Sequence, residues 1–490
     1  MVNAKIFSLT AFFLFGWIFF TFRILDVPPG INGDEASIGY NAALVSKTGR
    51  DSLGKFMPIF TSDPNSKDWK QPVTFYSEII TFKLFGPSYF SLRAVSVIFG
   101  LASCLIIFIL INMVLGFIPA LFSLLIFTTI PILMIQTHLA LENIAPVPLV
   151  SLWLLFLAKF IRNNSKILLF SSSVFLGFSL FSYLGMRLIV PVLALLTIAY
   201  LIYIDRTNPS QSIKKSLFFL AGLLPSFLLL FLLKSEYPGS ILGQYRAFNI
   251  ESYQDILLPF ISSFDPAFLY ITGDTTPYHS TGKHGVFLLS SLPLFILGIV
   301  RTIQKKHHFF VFTLLCFFLT PLLFGIGTPI HRGSRLLVLI PFYVVISTYG
   351  MVSILSLRFS LKKILTILSI LILIIINYQD FVRFYWYEYP KLVTSEFSKP
   401  IHLGFKELYL KAKEENLKPF IQSNLSENSI AANFFKEVYF AEGLNRWSQN
   451  EDIPKNSVIL VDFGGISTKK DDLNLVRVGQ SDYYLLKNGN

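Results

Sequence analysis

Residues 186–215, MRLIVPVLALLTIAYLIYIDRTNPSQSIKK, run for seventeen uncharged positions between Arg187 and Asp205 and then enter a basic loop holding Arg206, Lys214 and Lys215. A helix of that length matches a hydrocarbon core about 30 Å thick. Its two ends differ: one carries a lone arginine, the other a basic cluster. The pattern repeats along the chain, with Arg162 and Lys166, then Arg301, Lys305 and Lys306, then Arg358, Lys362 and Lys363 at every second gap between apolar runs. Short Lys/Arg-rich loops mark the cytoplasmic side of a helical membrane protein, so the chain reads as multi-pass with its amino terminus inside. The inner loop around Asn112–Leu115 has no charge and is the exception.

Composition agrees. Charged residues make up 14% of the 490 and hydrophobic ones 53%, with a mean hydropathy of +0.60; soluble domains carry about 25% charge. The alternating segments of a transmembrane β-barrel are absent from the sequence. A net charge of +12 could suggest nucleic acid, but the basic residues are divided among short loops beside apolar runs, which excludes a nucleic-acid-binding domain. Cys104 and Cys316 both fall inside apolar runs, indicating neither a disulfide framework nor a thiolate metal site.

Counting apolar runs predicts about eleven spans: 6–25, 89–111, 115–133, 140–161, 166–184, 186–204, 214–234, 285–303, 309–327, 334–356 and 362–379. The first has no small-residue cleavage site after it and reads as an uncleaved signal anchor. The expected fold is an all-α polytopic transmembrane region over 1–379, with outer loops 26–88 and 235–284, followed by an extracytoplasmic α/β domain over 380–490. In the tail, Gly404–Asn416 reads as a helix, Pro419–Ser423 and Ser457–Asp462 as strands, and Leu475–Leu486 as a hairpin around Gly479-Gln480. Ser37–Ser46, Val73–Phe85 and Asp255–Phe264 are too short to span and are expected along the interface.

Polar chemistry concentrates at the predicted outer side. Asp34-Glu35 follows the first span, where the bland alternative is an N-cap before Ala36–Leu44 and the functional one is a general base. Glu142 lies at the margin of a span, where a carboxylate marks a functional site by default. His138 stands four residues earlier, on the same face if that stretch is helical, leaving a two-ligand metal site and a structural His–Glu pair both open. Arg187 and the trio His331, Arg332 and Arg335 break the positive-inside trend; such a cluster suits a phosphate, or ordinary lipid headgroups. The first outer loop adds Lys70, and the loop 235–284 adds Arg246, Asp274 and His279.

Taken in order, Asp34-Glu35, Gln71-Pro72 with Lys83-Leu-Phe-Gly86 and Arg93, His138 with Glu142, Tyr183 with Arg187, Phe268-Leu-Tyr-Ile-Thr-Gly273-Asp274 with Gly285, and His331-Arg-Gly-Ser-Arg335 with Pro341 resemble the GT-C membrane glycosyltransferases. The branch is that of protein O-mannosyltransferases and the aminoarabinose transferase of lipid A. The resemblance implies transfer of a sugar from a polyprenyl-phosphate carrier to a hydroxyl of a lipid, glycan or protein acceptor, at the outer face of the plasma membrane. It implies Asp34 as catalytic base with Glu35 beside it, Glu142 shaping an acceptor or metal site, and Arg187 facing the carrier phosphate. No cofactor is implied with certainty; a divalent ion on Asp34, Glu35 and Glu142 is the one option. The rival class is a transporter or flippase of lipid-linked sugars, against which the charged residues gather at one face and the two halves do not correspond.

Overall fold

A computed structural model describes residues 2–62, 68–241, 252–326, 330–394, 397, 400–427, 429–440, 443–449, 451–462, 475–479 and 481–488. The chain forms two compact units, one of residues 1–22, 71–73 and 96–385, the other of 23–70, 74–95 and 386–490.

Among the described residues six helices are long and apolar enough to cross a membrane: Tyr89–Leu115, Glu142–Asn163, Met186–Ile204, Pro209–Leu233, Leu337–Leu355 and Leu361–Leu392. A bent pair, Phe117–Thr128 with Pro131–Thr137, raises the number to seven, and Leu9–Thr21, Lys166–Phe181 and His308–Phe324 are shorter apolar helices. The protein is mostly helical and multi-span, with six or seven of the expected eleven or so spans found as full-length apolar helices among the described residues. Some helices face lipid, as in Leu361–Leu392, where 6% of the apolar window is buried. Others form the core, as in Leu337–Leu355 at 89%.

Close packing in that core relies on missing side chains. A Cβ on Gly298 would stand 2.0 Å from the Ile346 carbonyl oxygen, and one on Gly350 2.0 Å from that of Leu294. The helices Leu292–Lys305 and Ile340–Leu355 therefore meet backbone to backbone, as small residues allow within membranes.

Two local expectations are corrected. The run 115–133 is not one straight helix: it bends by 64° at Thr129–Ile130, because Pro131 lacks an N–H and holds Ile130 in the extended region (φ −77°, ψ 118°). His138 and Glu142 do not share a helical face. His138 caps the C-terminus of Pro131–Thr137, and Glu142 opens a separate 3-10 turn, Glu142–Ile144.

In the second unit, helix Gly33–Thr48 begins with a capping box: the Asn32 side chain accepts from Asp34 N–H at 2.8 Å and Glu35 accepts from Asn32 N–H at 2.9 Å. It ends at Gly49 in the left-handed region, φ +74°. Ser37–Ser46, expected along the interface, packs one face against the protein. Ala36, Ile38, Ala42, Ala43 and Val45 are buried, and a Cβ on Gly39 would lie 2.9 Å from the Phe434 ring of helix Ile430–Tyr439.

The tail carries a five-stranded mixed sheet of β1 (Lys418–Gln422), β2 (Asn445–Trp447), β3 (Ser457–Asp462), β4 (Leu475–Arg477) and β5 (Tyr483–Asn488), in the order β2-β1-β3-β5-β4. β1 pairs parallel with β2 and β3, while β5 pairs antiparallel with β3 and β4. β3, Ser-Val-Ile-Leu-Val-Asp, is central, which explains its unbroken apolar run. The hairpin register sets Leu475 opposite Leu486, as the alternation suggested, with Gln480 outside the described residues.

Candidate active site

In the unit of 23–70, 74–95 and 386–490, the first turn of Gly33–Thr48 points two adjacent carboxylates in different directions. Glu35 faces inward and is fully buried. Its Oε1 accepts from Arg93 Nε at 3.0 Å and its Oε2 from Arg93 Nη2 at 3.2 Å. Arg93 is equally buried. It also donates to the carbonyls of Ile24 at 2.7 Å and Gly30 at 2.7 Å and lies over the Tyr89 ring. The guanidinium thus ties the segment before the helix to the helix itself, satisfying a charge that would be costly alone.

Asp34 faces outward, its side chain 60% exposed. Its Oδ1 accepts from Lys70 Nζ at 2.5 Å. Lys70, only 6% exposed at its side chain, also reaches Asp68 at 3.2 Å, and its backbone N–H donates to the Thr61 carbonyl at 2.7 Å. The ammonium is held from both sides beside the exposed carboxylate.

Glu78, on helix Pro72–Phe85, completes this group, and the sequence reading missed it. It is fully buried, and neither carboxyl oxygen has a hydrogen-bond partner among the described residues. Burial, and secondarily the charge of Glu35, push its carboxyl well above the usual range. A glutamate in the middle of the amphipathic stretch Val73–Phe85 was the available signal.

The unit of 1–22, 71–73 and 96–385 holds a second group. Gln71, consecutive with Lys70 in the chain, is fully buried; its backbone N–H donates to Glu142 Oε1, and its side-chain Oε1 accepts from Arg187 Nη2 at 2.6 Å. Gln71 thus joins the acid at the start of one span to the arginine at the start of another. His138 stands apart from Glu142: its Nε2 lies 3.0 Å from the Phe20 carbonyl, and its ring packs on Tyr385.

Further along the same unit, Gln136 Nε2 is 2.8 Å from His279 Nδ1, both buried. Asp274, buried, accepts from Thr276 N–H at 2.8 Å and lies 3.9 Å from Arg332. Arg332 also donates to the Thr276 hydroxyl. His331 Nε2 lies 3.1 Å from Asp265 Oδ2, so two members of the expected basic trio sit beside carboxylates. Arg335 lies half-buried in the 3-10 turn Gly333–Arg335. Arg246 falls outside the described residues. No cluster of three or more His, Cys, Asp or Glu side chains that could hold a metal occurs among the described residues. Asp34 pairs with Lys70, Glu35 with Arg93, and Glu142 accepts from the Gln71 amide.

Residues 69–233 match the family described as dolichyl-phosphate-mannose-protein mannosyltransferase. No curated protein matches in sequence. Solved structures do match in fold. Over 99% of this chain and 98% of the other, the protein is similar to apo ArnT from Cupriavidus metallidurans, with TM-score 0.59 and 10% identity. The same enzyme bound to undecaprenyl phosphate matches at TM-score 0.53, 12% identity and 98% of each chain. The archaeal oligosaccharyltransferase AglB from Archaeoglobus fulgidus, in complex with an inhibitory peptide and a dolichol-phosphate, matches at TM-score 0.51 and 11% identity, over 89% of this chain and 64% of that one. The matched segment contains Lys70, Gln71, Arg93, Glu142 and Arg187, and the fold match extends from the spans into the tail sheet. The chain is thus a mostly helical multi-span protein whose fold is similar to that of ArnT, and over residues 69–233 it matches the dolichyl-phosphate-mannose-protein mannosyltransferase family.

Proposed function

We propose that this protein passes a sugar from a polyprenyl-phosphate carrier to a hydroxyl acceptor on a lipid, glycan or protein, with inversion at the sugar carbon, and that Asp34 is the general base. The observation that carries this reading is the pairing of an exposed Asp34 carboxylate with the nearly buried Lys70 ammonium at 2.5 Å, on the first turn of a helix whose middle is largely buried.

The chemistry follows from those two groups. A carrier phosphate competes with Asp34 for Lys70, since ammonium–phosphate contacts are charge-assisted. Its arrival releases the carboxylate to take the acceptor proton. The acceptor oxygen then bonds to the sugar carbon from the face opposite the phosphate. The carbon–oxygen bond to phosphate breaks, its electron pair leaves with the polyprenyl phosphate, and Lys70 stabilises the charge that develops there. A phosphate leaving group needs no general acid. Glu35 acts as a positioning residue: through Arg93 and the Asn32 cap it fixes the turn on which Asp34 stands. Arg187, with Gln71 and Glu142, would hold the carrier phosphate or shape the acceptor path.

The proposed orientation places the amino terminus and the basic loops at Arg162–Lys166, Arg206–Lys215, Arg301–Lys306 and Arg358–Lys363 in the cytoplasm of a plasma-membrane protein. The tail 380–490 then lies outside, as an extracytoplasmic domain.

The test is Asp34→Asn in membranes supplied with a radiolabelled sugar on polyprenyl phosphate. Loss of about a hundredfold or more in transfer, with donor binding retained, is expected for a general base; unchanged transfer would remove Asp34 from that role.

A further inference from the structure

A cavity of about 470 Å³ opens between the loops that follow helices Pro146–Asn163 and Met186–Ile204. Glu142 and Arg187 stand at the opposite ends of those same helices. Eighteen helical residues rise about 27 Å, close to the thickness of a hydrocarbon core. The cavity therefore lies at the other membrane boundary from Glu142 and Arg187.

Its rim carries Lys166, Lys214 and Lys215, with Ser210 on the first turn of helix Pro209–Leu233, and its floor carries Phe160 and Phe218. The lysines come from two separate loops and converge on one space. Lys215 is already matched: its Nζ is 2.8 Å from Asp205 Oδ2 and lies over the Phe160 ring. Lys166 and Lys214 have no carboxylate partner among the described residues, so two positive charges face the cavity uncompensated. The N-terminal end of helix Pro209–Leu233 adds partial positive charge at the same rim.

The surface beside the rim is apolar. Ile213 and Leu217, one turn apart on that helix, are 58% and 60% exposed, and Phe218 and Phe170 flank them at 37% and 40%. A soluble anion would use the rim alone. A phospholipid would use both, placing its phosphate on the lysines and its acyl chains along the apolar face. Basic pockets between helices at a membrane boundary recognise lipid headgroups in this manner.

We propose that this cavity binds the phosphate headgroup of an anionic phospholipid, with Lys166 and Lys214 contacting the phosphate. The site is separate from the transfer chemistry, and the inference does not depend on it.

The test uses the purified full-length protein in mixed micelles, titrated with phosphatidylglycerol or phosphatidylcholine and read by native mass spectrometry. Wild type is expected to retain phosphatidylglycerol over phosphatidylcholine, and Lys166→Gln/Lys214→Gln to lose about 30-fold in phosphatidylglycerol affinity with phosphatidylcholine unchanged. Ser210→Glu provides a second variant: a carboxylate in the first helical turn favours the helix while opposing an anionic headgroup, so it should fold normally and also lose phosphatidylglycerol. Millimolar inorganic phosphate should leave retention unaltered. Wild-type affinity in both variants overturns the proposal, and displacement by inorganic phosphate overturns the lipid as the ligand.

Discussion

Arg93 and Glu35 form a forked ion pair with neither side chain exposed to solvent, Nε to Oε1 at 3.0 Å and Nη2 to Oε2 at 3.2 Å. Removing one partner of such a pair leaves a buried charge without compensation and costs about 3–5 kcal/mol. Arg93→Met is expected to lower thermal stability in detergent by that order, and Arg93→Lys to rescue little, since an ammonium cannot reproduce the fork. The double variant Arg93→Met/Glu35→Gln should be less damaged than the two single effects added together; strict additivity would argue against direct coupling.

Lys70→Gln separates stability from function. Asp34 is largely exposed, so the pair contributes under about 1 kcal/mol to folding. Transfer should nonetheless fall by about 10²–10³, the usual effect of losing one donor aimed at developing negative charge. Steady-state transfer from polyprenyl-phosphate sugar, measured beside a melting curve, checks both halves.

Gln71→Leu removes the acceptor that meets Arg187 at 2.6 Å. Leaving a buried donor without that partner costs about 1–3 kcal/mol, and carrier affinity should weaken if Arg187 holds phosphate. Arg187→Ala should weaken it at least as much; an undiminished affinity in both variants would exclude this group from carrier binding.

Half-buried His402 and buried Glu78 predict opposite pH trends. Burial, then the charges of Arg93 and Lys406, lower the His402 pKa to about 4, against about 6.5 in the unfolded chain. The unfolded state therefore binds the proton first. The stability that neutral His402 confers is complete above about pH 6.5 and is lost as pH falls toward 4, amounting to about 2–3 kcal/mol. His402→Phe should flatten that acid limb.

Glu78 has the reverse sign, because its folded pKa lies well above the unfolded value. Its protonated form is favourable at low pH, and stability is lost as pH rises through the folded pKa. Glu78→Gln should therefore gain on wild type by about 1.4 kcal/mol per pH unit above roughly 4.5, until the folded carboxyl itself ionises. Melting temperatures across pH 4–8 for both variants test the two slopes together.

The apolar runs were legible because a bilayer demands long uncharged stretches, and β1, β3 and the β4–β5 hairpin were legible because strand alternation and turn residues are local signals. The bend before Pro131 was not, since Thr129-Ile130-Pro131 lies in an apolar run without a polar break. Nor was β2, a short polar edge strand. At the candidate site, Asp34 and Lys70 were readable as residue types, but their contact links positions 36 apart, and that of Arg93 with Glu35 links positions 58 apart. Arg93 near the start of an apolar helix was the one hint of such a contact, because an unpaired arginine there would be costly.

The break at Thr129–Ile130 works as a carpenter's square. Pro131–Thr137 is a seven-residue arm about 10 Å long, so unbending it through 64° would swing its tip by about 11 Å. Gln136 would be carried off His279 and His138 off the Phe20 carbonyl, since both contacts are held at about 3 Å. One proline thus decides where two histidines stand.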